Sequence, residues 1–121
     1  MHVKDSDDGL PEVVMPACPA QRILTGQKAL VTGGNSGIGK AIALALGQAG
    51  ADVGVNYVKD AQSAEAVAAE VRATGRRASA YRADVSSEGQ VRAMFEKMAA
   101  EFGTVDILIN NAGLQQDAPF D

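Results

Sequence analysis

The sequence predicts an α/β fold, a doubly wound parallel sheet with strand order 3-2-1-4, and three observations predict it. First, Lys28-Ala29-Leu30-Val31-Thr32 is a short apolar run that breaks into three spaced glycines, Gly33, Gly37 and Gly39, and then into an Ala/Leu-rich helical pattern. Second, short apolar runs alternate with amphipathic stretches of helical length from Lys28 onward, as in parallel strands joined by crossover helices. Third, the fourth apolar run ends in Asn110-Asn111-Ala112-Gly113. The doubly wound order sets that segment beside the glycine turn, at the carboxyl ends of strands 1 and 4, where open α/β sheets bind ligands.

Each element has a local reason. Strand 1 is Lys28 to Val31. The first helix is expected from about Gly37 to Ala49, with Ile38, Ile42, Ala45 and Ala49 as its apolar stripe and Gly50 as its stop. Asp52 to Asn56 reads as strand 2. A helix from about Ala61 to Thr74 carries Ala64, Val67, Ala68 and Val71 on one face, is polar on the other, and ends at Gly75. Ala78 to Arg82 is strand 3. Ser87 followed by Gln90 fits a capping box, with Val91, Phe95, Met98 and Phe102 as the stripe of the third helix and Gly103 closing it. Asp106 to Ile109 is strand 4, and Leu114 to Asp121 reads as a loop that opens toward a further helix. Residues 25–121 thus form the dinucleotide-binding part of one domain. Residues 1–24, with Asp5, Asp7 and Asp8 and three prolines (Pro11, Pro16, Pro19), read as a flexible extension, or as an arm whose Val13-Val14-Met15 patch meets a neighbouring subunit.

The glycine turn carries the chemistry. At Gly33 the chain reverses where a Cβ would clash; Gly37 allows close backbone approach to a ligand; Gly39 lets helix and strand pack tightly. The first N–H groups of the helix and its positive dipole end then form an anion site. A dinucleotide pyrophosphate fits it.

Composition narrows the partners. The net charge of −4 argues against nucleic acid, whose binders show a basic patch. The single cysteine, Cys18, excludes an internal disulfide and suits a reducing cytoplasm. No segment approaches the roughly 20 consecutive apolar residues of a membrane span, and the N-terminus lacks the apolar core of a signal peptide. No metal-ligating cluster stands out.

The spacing Thr-Gly-x-x-x-Gly-x-Gly, Thr32 to Gly39, resembles that of the short-chain dehydrogenases/reductases. With Asp84-Val85 after strand 3 and Asn110 to Gly113 after strand 4, the likeness covers about Gly26 to Gly113, and it is greatest to the glucose 1-dehydrogenase and 3-oxoacyl-carrier-protein reductase type. The resemblance implies a partial Rossmann fold that binds NAD(P). It further implies hydride transfer between the nicotinamide and an alcohol or ketone of sugar, polyol or 3-oxoacyl type, and a homo-oligomer, a tetramer, when complete. It assigns the cofactor phosphates to Thr32, Gly33, Asn35, Ser36, Gly37, Ile38 and Gly39, the adenine to Asp84 and Val85, and the ribose side to Asn111, Ala112 and Gly113. Asp84 also suits a helix cap, and Asn110 a turn brace.

Cofactor choice turns on the end of strand 2. An acidic residue there favours NAD. This chain has Asn56 and Tyr57, with Lys59 nearby, so NADP is expected at the ribose, with NAD also usable; Ser36 stands where an arginine would clamp the extra phosphate. Members of the family also carry a Ser and a Tyr-x-x-x-Lys pair. Here Tyr57 is followed four residues on by Ala61 and Tyr81 by Val85, so no catalytic residue is assigned. The expected function is the cofactor-binding part of an oxidoreductase truncated before its catalytic half. The alternatives are a non-catalytic nucleotide-binding or interaction module, and a flavin or other nucleotide binder on a similar sheet.

Overall fold

The computed structural model describes residues 23–111. Residues 1–22 and 112–121, and with them the expectations for the extension, Ala112, Gly113 and the last loop, lie outside the described residues. The element order is β1 (Lys28–Val31), α1 (Gly37–Gln48), β2 (Asp52–Tyr57), α2 (Ala61–Arg72), β3 (Ala78–Arg82), α3 (Glu88–Phe102) and β4 (Ile107–Ile109). The sheet has the order β3-β2-β1-β4, and every pairing is parallel. No helix of the described residues is long and apolar enough to cross a membrane.

Two apolar clusters sandwich the sheet. One joins Val31, Val53 and Val55 to Ala43 of α1 and to Ala64, Val67, Ala68 and Val71 of α2. The other joins Leu30, Tyr81 and Ala83 to Met94, Met98 and Phe102 of α3. The β2 run is buried along nearly its whole length, as a parallel strand covered on both faces must be. The four residues expected to face inward on α2 do so.

On α1 the expectation was out of phase. The buried face is Gly39, Ala43 and Gly47, whereas Ile38 is 66% exposed and Ala45 is exposed. The reason is close approach: a Cβ on Gly47 would stand 2.9 Å from Val71 Cγ1 of α2, and one on Gly39 only 2.2 Å from the Gly33 carbonyl oxygen. The helix turns its smallest residues inward, Gly39 onto the glycine turn and Gly47 onto α2, and the bulkier Ile42, Leu44 and Leu46 pack at the margins. On α3, Met94 joins the stripe. Half of its capping box forms: Ser87 Oγ accepts from the Gln90 amide at 3.3 Å, but Gln90 Oε1 accepts from the Asp84 amide at 2.9 Å instead of from Ser87. The end of β3 is thereby tied to the first turn of α3.

The two outer strands differ. The Arg72 Nε covers the outer edge of β3 by donating to the Ala78 carbonyl at 3.1 Å, and the hydroxyls of Ser79 and Tyr81 both donate to Glu101. β4 pairs only with β1 among the described residues, and its Leu108 is 51% exposed.

Candidate functional site: a glycine-lined crevice at the carboxyl ends of the strands

The chain leaves β1 through Thr32, a buried residue whose amide donates to the Ile109 carbonyl at 3.0 Å. It then turns at Gly33, φ 62°, and again at Gly37, φ 59°. Both lie in the left-handed region, which a residue without a Cβ enters at little cost. Ser36 is extended and forms no side-chain cap on α1, so the amides of the first turn remain unspent at the positive end of the helix. Ile38 stands exposed in that turn.

Two buried asparagines brace the turn from either side. Asn56, fully buried, accepts from the Gly33 amide through Oδ1 at 3.0 Å, and its backbone carbonyl accepts from Gly34 at 3.0 Å. Its Nδ2 donates to the carbonyls of Ala83 at 3.0 Å and Tyr81 at 3.3 Å. Asn56 therefore lies behind the crevice wall and ties it to β3; the expectation that its side chain faces a ribose does not fit this placement. Asn111, 1% exposed, donates from Nδ2 to the Gly33 carbonyl at 3.1 Å. Its Oδ1 is buried without a partner among the described residues, an unusual state for an amide oxygen. The bracing role foreseen for Asn110 is thus shared with Asn111, while Asn110 Oδ1 accepts from the Thr32 hydroxyl at 3.4 Å.

The rim is polar. Asn35 Nδ2 donates to Ser63 Oγ at 2.9 Å and to the Lys59 carbonyl at 3.5 Å, joining the turn to the start of α2. Asp60, at φ 66°, caps α2 by accepting from the Ser63 amide. Tyr57 is half-buried at the end of β2. Asp84 is exposed and does not cap α3; that position belongs to Ser87. Asp84 Oδ1 accepts from the Ser86 hydroxyl at 2.7 Å and the Ser86 amide at 2.9 Å, and these bonds hold its carboxyl below the ordinary range. Val85 beside it is half-buried.

Periodicity and propensity carried no sign of Asp52, 2% exposed at the start of β2. Arg77 binds it through the backbone amide at 3.0 Å and the guanidinium at 3.2 Å. Arg76 approaches at 3.3 Å and Lys28 at 3.6 Å. This cluster lies at the amino ends of the strands, opposite the crevice.

The residues present fit a dinucleotide: two left-handed glycines and an uncapped helix start follow β1, and buried Asn111 is fastened to the first of those glycines. Known proteins are similar in sequence and in fold. The sequence model of the family described as short chain dehydrogenase matches residues 27–121. The 3-oxoacyl-[acyl-carrier-protein] reductase FabG of Staphylococcus aureus is 43% identical over 91 residues, covering 75% of this chain and 37% of the relative. A short chain dehydrogenase from Burkholderia cenocepacia, solved in complex with NADP, is 49% identical at a TM-score of 0.68, covering 70% of this chain and 35% of that one. A hydroxysteroid dehydrogenase from Escherichia coli is 39% identical at a TM-score of 0.73, covering 84% of this chain and 43% of that one. The chain spans 37% of the length of the curated relative it matches, just over a third.

Proposed function

The chain belongs to the short-chain dehydrogenase family, and on that premise we propose that its crevice is the cofactor site of an NAD(P)-dependent oxidoreductase, with NADP ahead of NAD. The observation that carries the proposal is the turn from Gly33 to Gly39, left-handed at Gly33 and Gly37, braced by Asn56 and Asn111, and opening on an uncapped helix. A nicotinamide dinucleotide bound here supplies or accepts the hydride. The chain's own part is to hold it. Amides at the start of α1 meet the pyrophosphate, Asp84 and Val85 border the adenine, and Asn111 closes the crevice between β1 and β4. The substrate in the complete enzyme is an alcohol or ketone of sugar, polyol or 3-oxoacyl type. The name of the Staphylococcus aureus relative supports the last of these.

Reduction of a carbonyl also needs a proton donor within hydrogen-bond reach of the oxygen. Tyr81 cannot fill that role: its hydroxyl donates to Glu101, and burial, followed by that carboxylate, pushes its pKa well above the ordinary value. Tyr57 has Ala61, not a lysine, four residues on. We therefore propose that residues 1–121 bind the dinucleotide without turning it over.

The test is Gly37→Val. A β-branched side chain at φ 59° is strained and intrudes where the pyrophosphate lies. Calorimetric affinity for NADP is expected to fall at least about tenfold, in a variant whose circular dichroism matches the wild type. Unchanged affinity in such a folded variant contradicts the proposal.

A further inference from the structure

With Asn56 inside the wall, its side chain is not placed to read the 2′ position of a bound adenosine ribose, and the structure offers another group. Arg82 is the last residue of β3 and pairs in register with Tyr57, the last of β2. Ala80 packs toward α1 and α2, while Tyr81 and Ala83 face α3. Strand alternation therefore sends Arg82 to the α1–α2 side, the side of the glycine turn. Its Nε donates to the Val58 carbonyl at 3.2 Å, and its two terminal nitrogens have no partner among the described residues.

Most of the other described cations are ion-paired. Lys28, Arg76 and Arg77 gather on Asp52, Lys40 meets Glu70, Arg72 meets Glu65, and Arg92 meets Glu88. At the carboxyl ends of the strands, Lys59 and Arg82 carry charge that no described carboxylate neutralises. The nearby acids are engaged, Asp60 with the Ser63 amide and Asp84 with Ser86. Two adjacent carbonyls of the loop after β2 are both held. The Lys59 carbonyl accepts from Asn35 of the glycine turn, and the Val58 carbonyl accepts from Arg82.

We propose that Arg82 selects a dinucleotide phosphorylated at the 2′ position. Its Nε fixes the loop after β2, and its free terminal N–H groups present a planar fork to the 2′-phosphate. An ammonium in the same place would supply charge without that fork. The proposal rests on the reading of the crevice as a dinucleotide site.

Calorimetric titration of wild type, Arg82→Met and Arg82→Lys separates the two ideas, with NADP, NAD, adenosine 2′,5′-bisphosphate and adenosine 5′-monophosphate as ligands. Arg82→Met keeps the aliphatic stem and is expected to lose about tenfold for NADP and the bisphosphate. Its affinities for NAD and the monophosphate should stay within about twofold, because neither carries the 2′-phosphate. Arg82→Lys should recover part of the loss. The salt dependence of NADP binding should also weaken in Arg82→Met, since one screened charge pair is gone. Equal losses for NADP and NAD overturn the proposal and leave Arg82 as a loop brace alone. Unchanged affinities overturn it as well. A wild-type chain that binds neither dinucleotide removes the cofactor site itself, and the selection with it.

Discussion

The two ends of the sheet are secured by opposite means. At the amino ends, one buried carboxylate, Asp52, gathers three cations from β1 and from the segment before β3. At the carboxyl ends, the bracing groups are neutral amides, Asn56 and Asn111, each fastened to Gly33. A full charge is tolerable in the floor because its partners come with it. Beside the turn, a buried carboxylate would compete for the amides that an anionic ligand needs, and a buried cation would hold the site shut around its own counter-ion. Uncharged bracing keeps the turn rigid and its outward N–H groups available. The functional end of this sheet is recognisable by buried braces that carry no charge.

The largest effect is expected at the floor. Asp52→Asn leaves three cations around a neutral side chain and should cost about 4 kcal/mol in denaturant unfolding. The pH dependence has a definite sign. Burial alone would raise the Asp52 carboxyl, but the backbone and side-chain bonds from Arg77 and the charges of Arg76 and Arg77 outweigh it and hold the carboxyl below its ordinary value of 3.8. Its stabilisation is therefore complete above that value and is lost as pH falls through the depressed one. Thermal unfolding between about pH 5 and pH 2 should be steeper in wild type than in Asp52→Asn. Equal slopes would show that Asp52 does not set the acid limit.

At the other end, Gly39→Ala places a Cβ 2.2 Å from the Gly33 carbonyl oxygen and 2.6 Å from Asn111 Nδ2. It should destabilise by about 3 kcal/mol and loosen the turn. Amide exchange at Gly33 and Gly34 is the local readout, and protection as in wild type would contradict the close packing.

Asn56→Asp tests the neutral brace directly. The carboxylate loses both donations from Nδ2, to Ala83 and Tyr81, and places charge behind the turn. A loss of about 2 kcal/mol is expected, together with weaker binding of NADP and NAD alike. A switch of preference toward NAD at unchanged stability would put the side chain on the ribose after all. The smallest effect belongs to Lys28→Met, which removes the most distant of the cations around Asp52 and should cost only about 1 kcal/mol. A loss as large as that of Asp52→Asn would mean that the three cations are not interchangeable.

Against this comparison, the parts legible in the sequence are those governed by neighbours a few residues away. The strand, glycine turn and helix start are read from backbone allowances, and Gly33 and Gly37 take the positive φ that their roles require. Ser87 is a cap because its oxygen lies three residues from the amide it accepts. The α2 stripe repeats with the helical period, and its four residues are buried. The α1 stripe misleads because a helical period of apolar side chains passes over glycine, while α1 approaches through Gly39, Ala43 and Gly47.

The sequence by itself determined the order of elements, the parallel sheet and the place of the turn, since local dihedral limits and hydrophobic periods leave little else for such a chain to do. Tertiary structure decided what the polar side chains became. Asn56 meets Gly33 across 23 residues, Arg77 meets Asp52 across 25, and Asn111 meets Gly33 across 78. The sequence offers Asn56 and Asn111 as ligand contacts, and Asp52 only as the first residue of a strand. Only the packing of three distant strand ends makes them buried, and a buried polar group takes whichever partner the fold brings within reach.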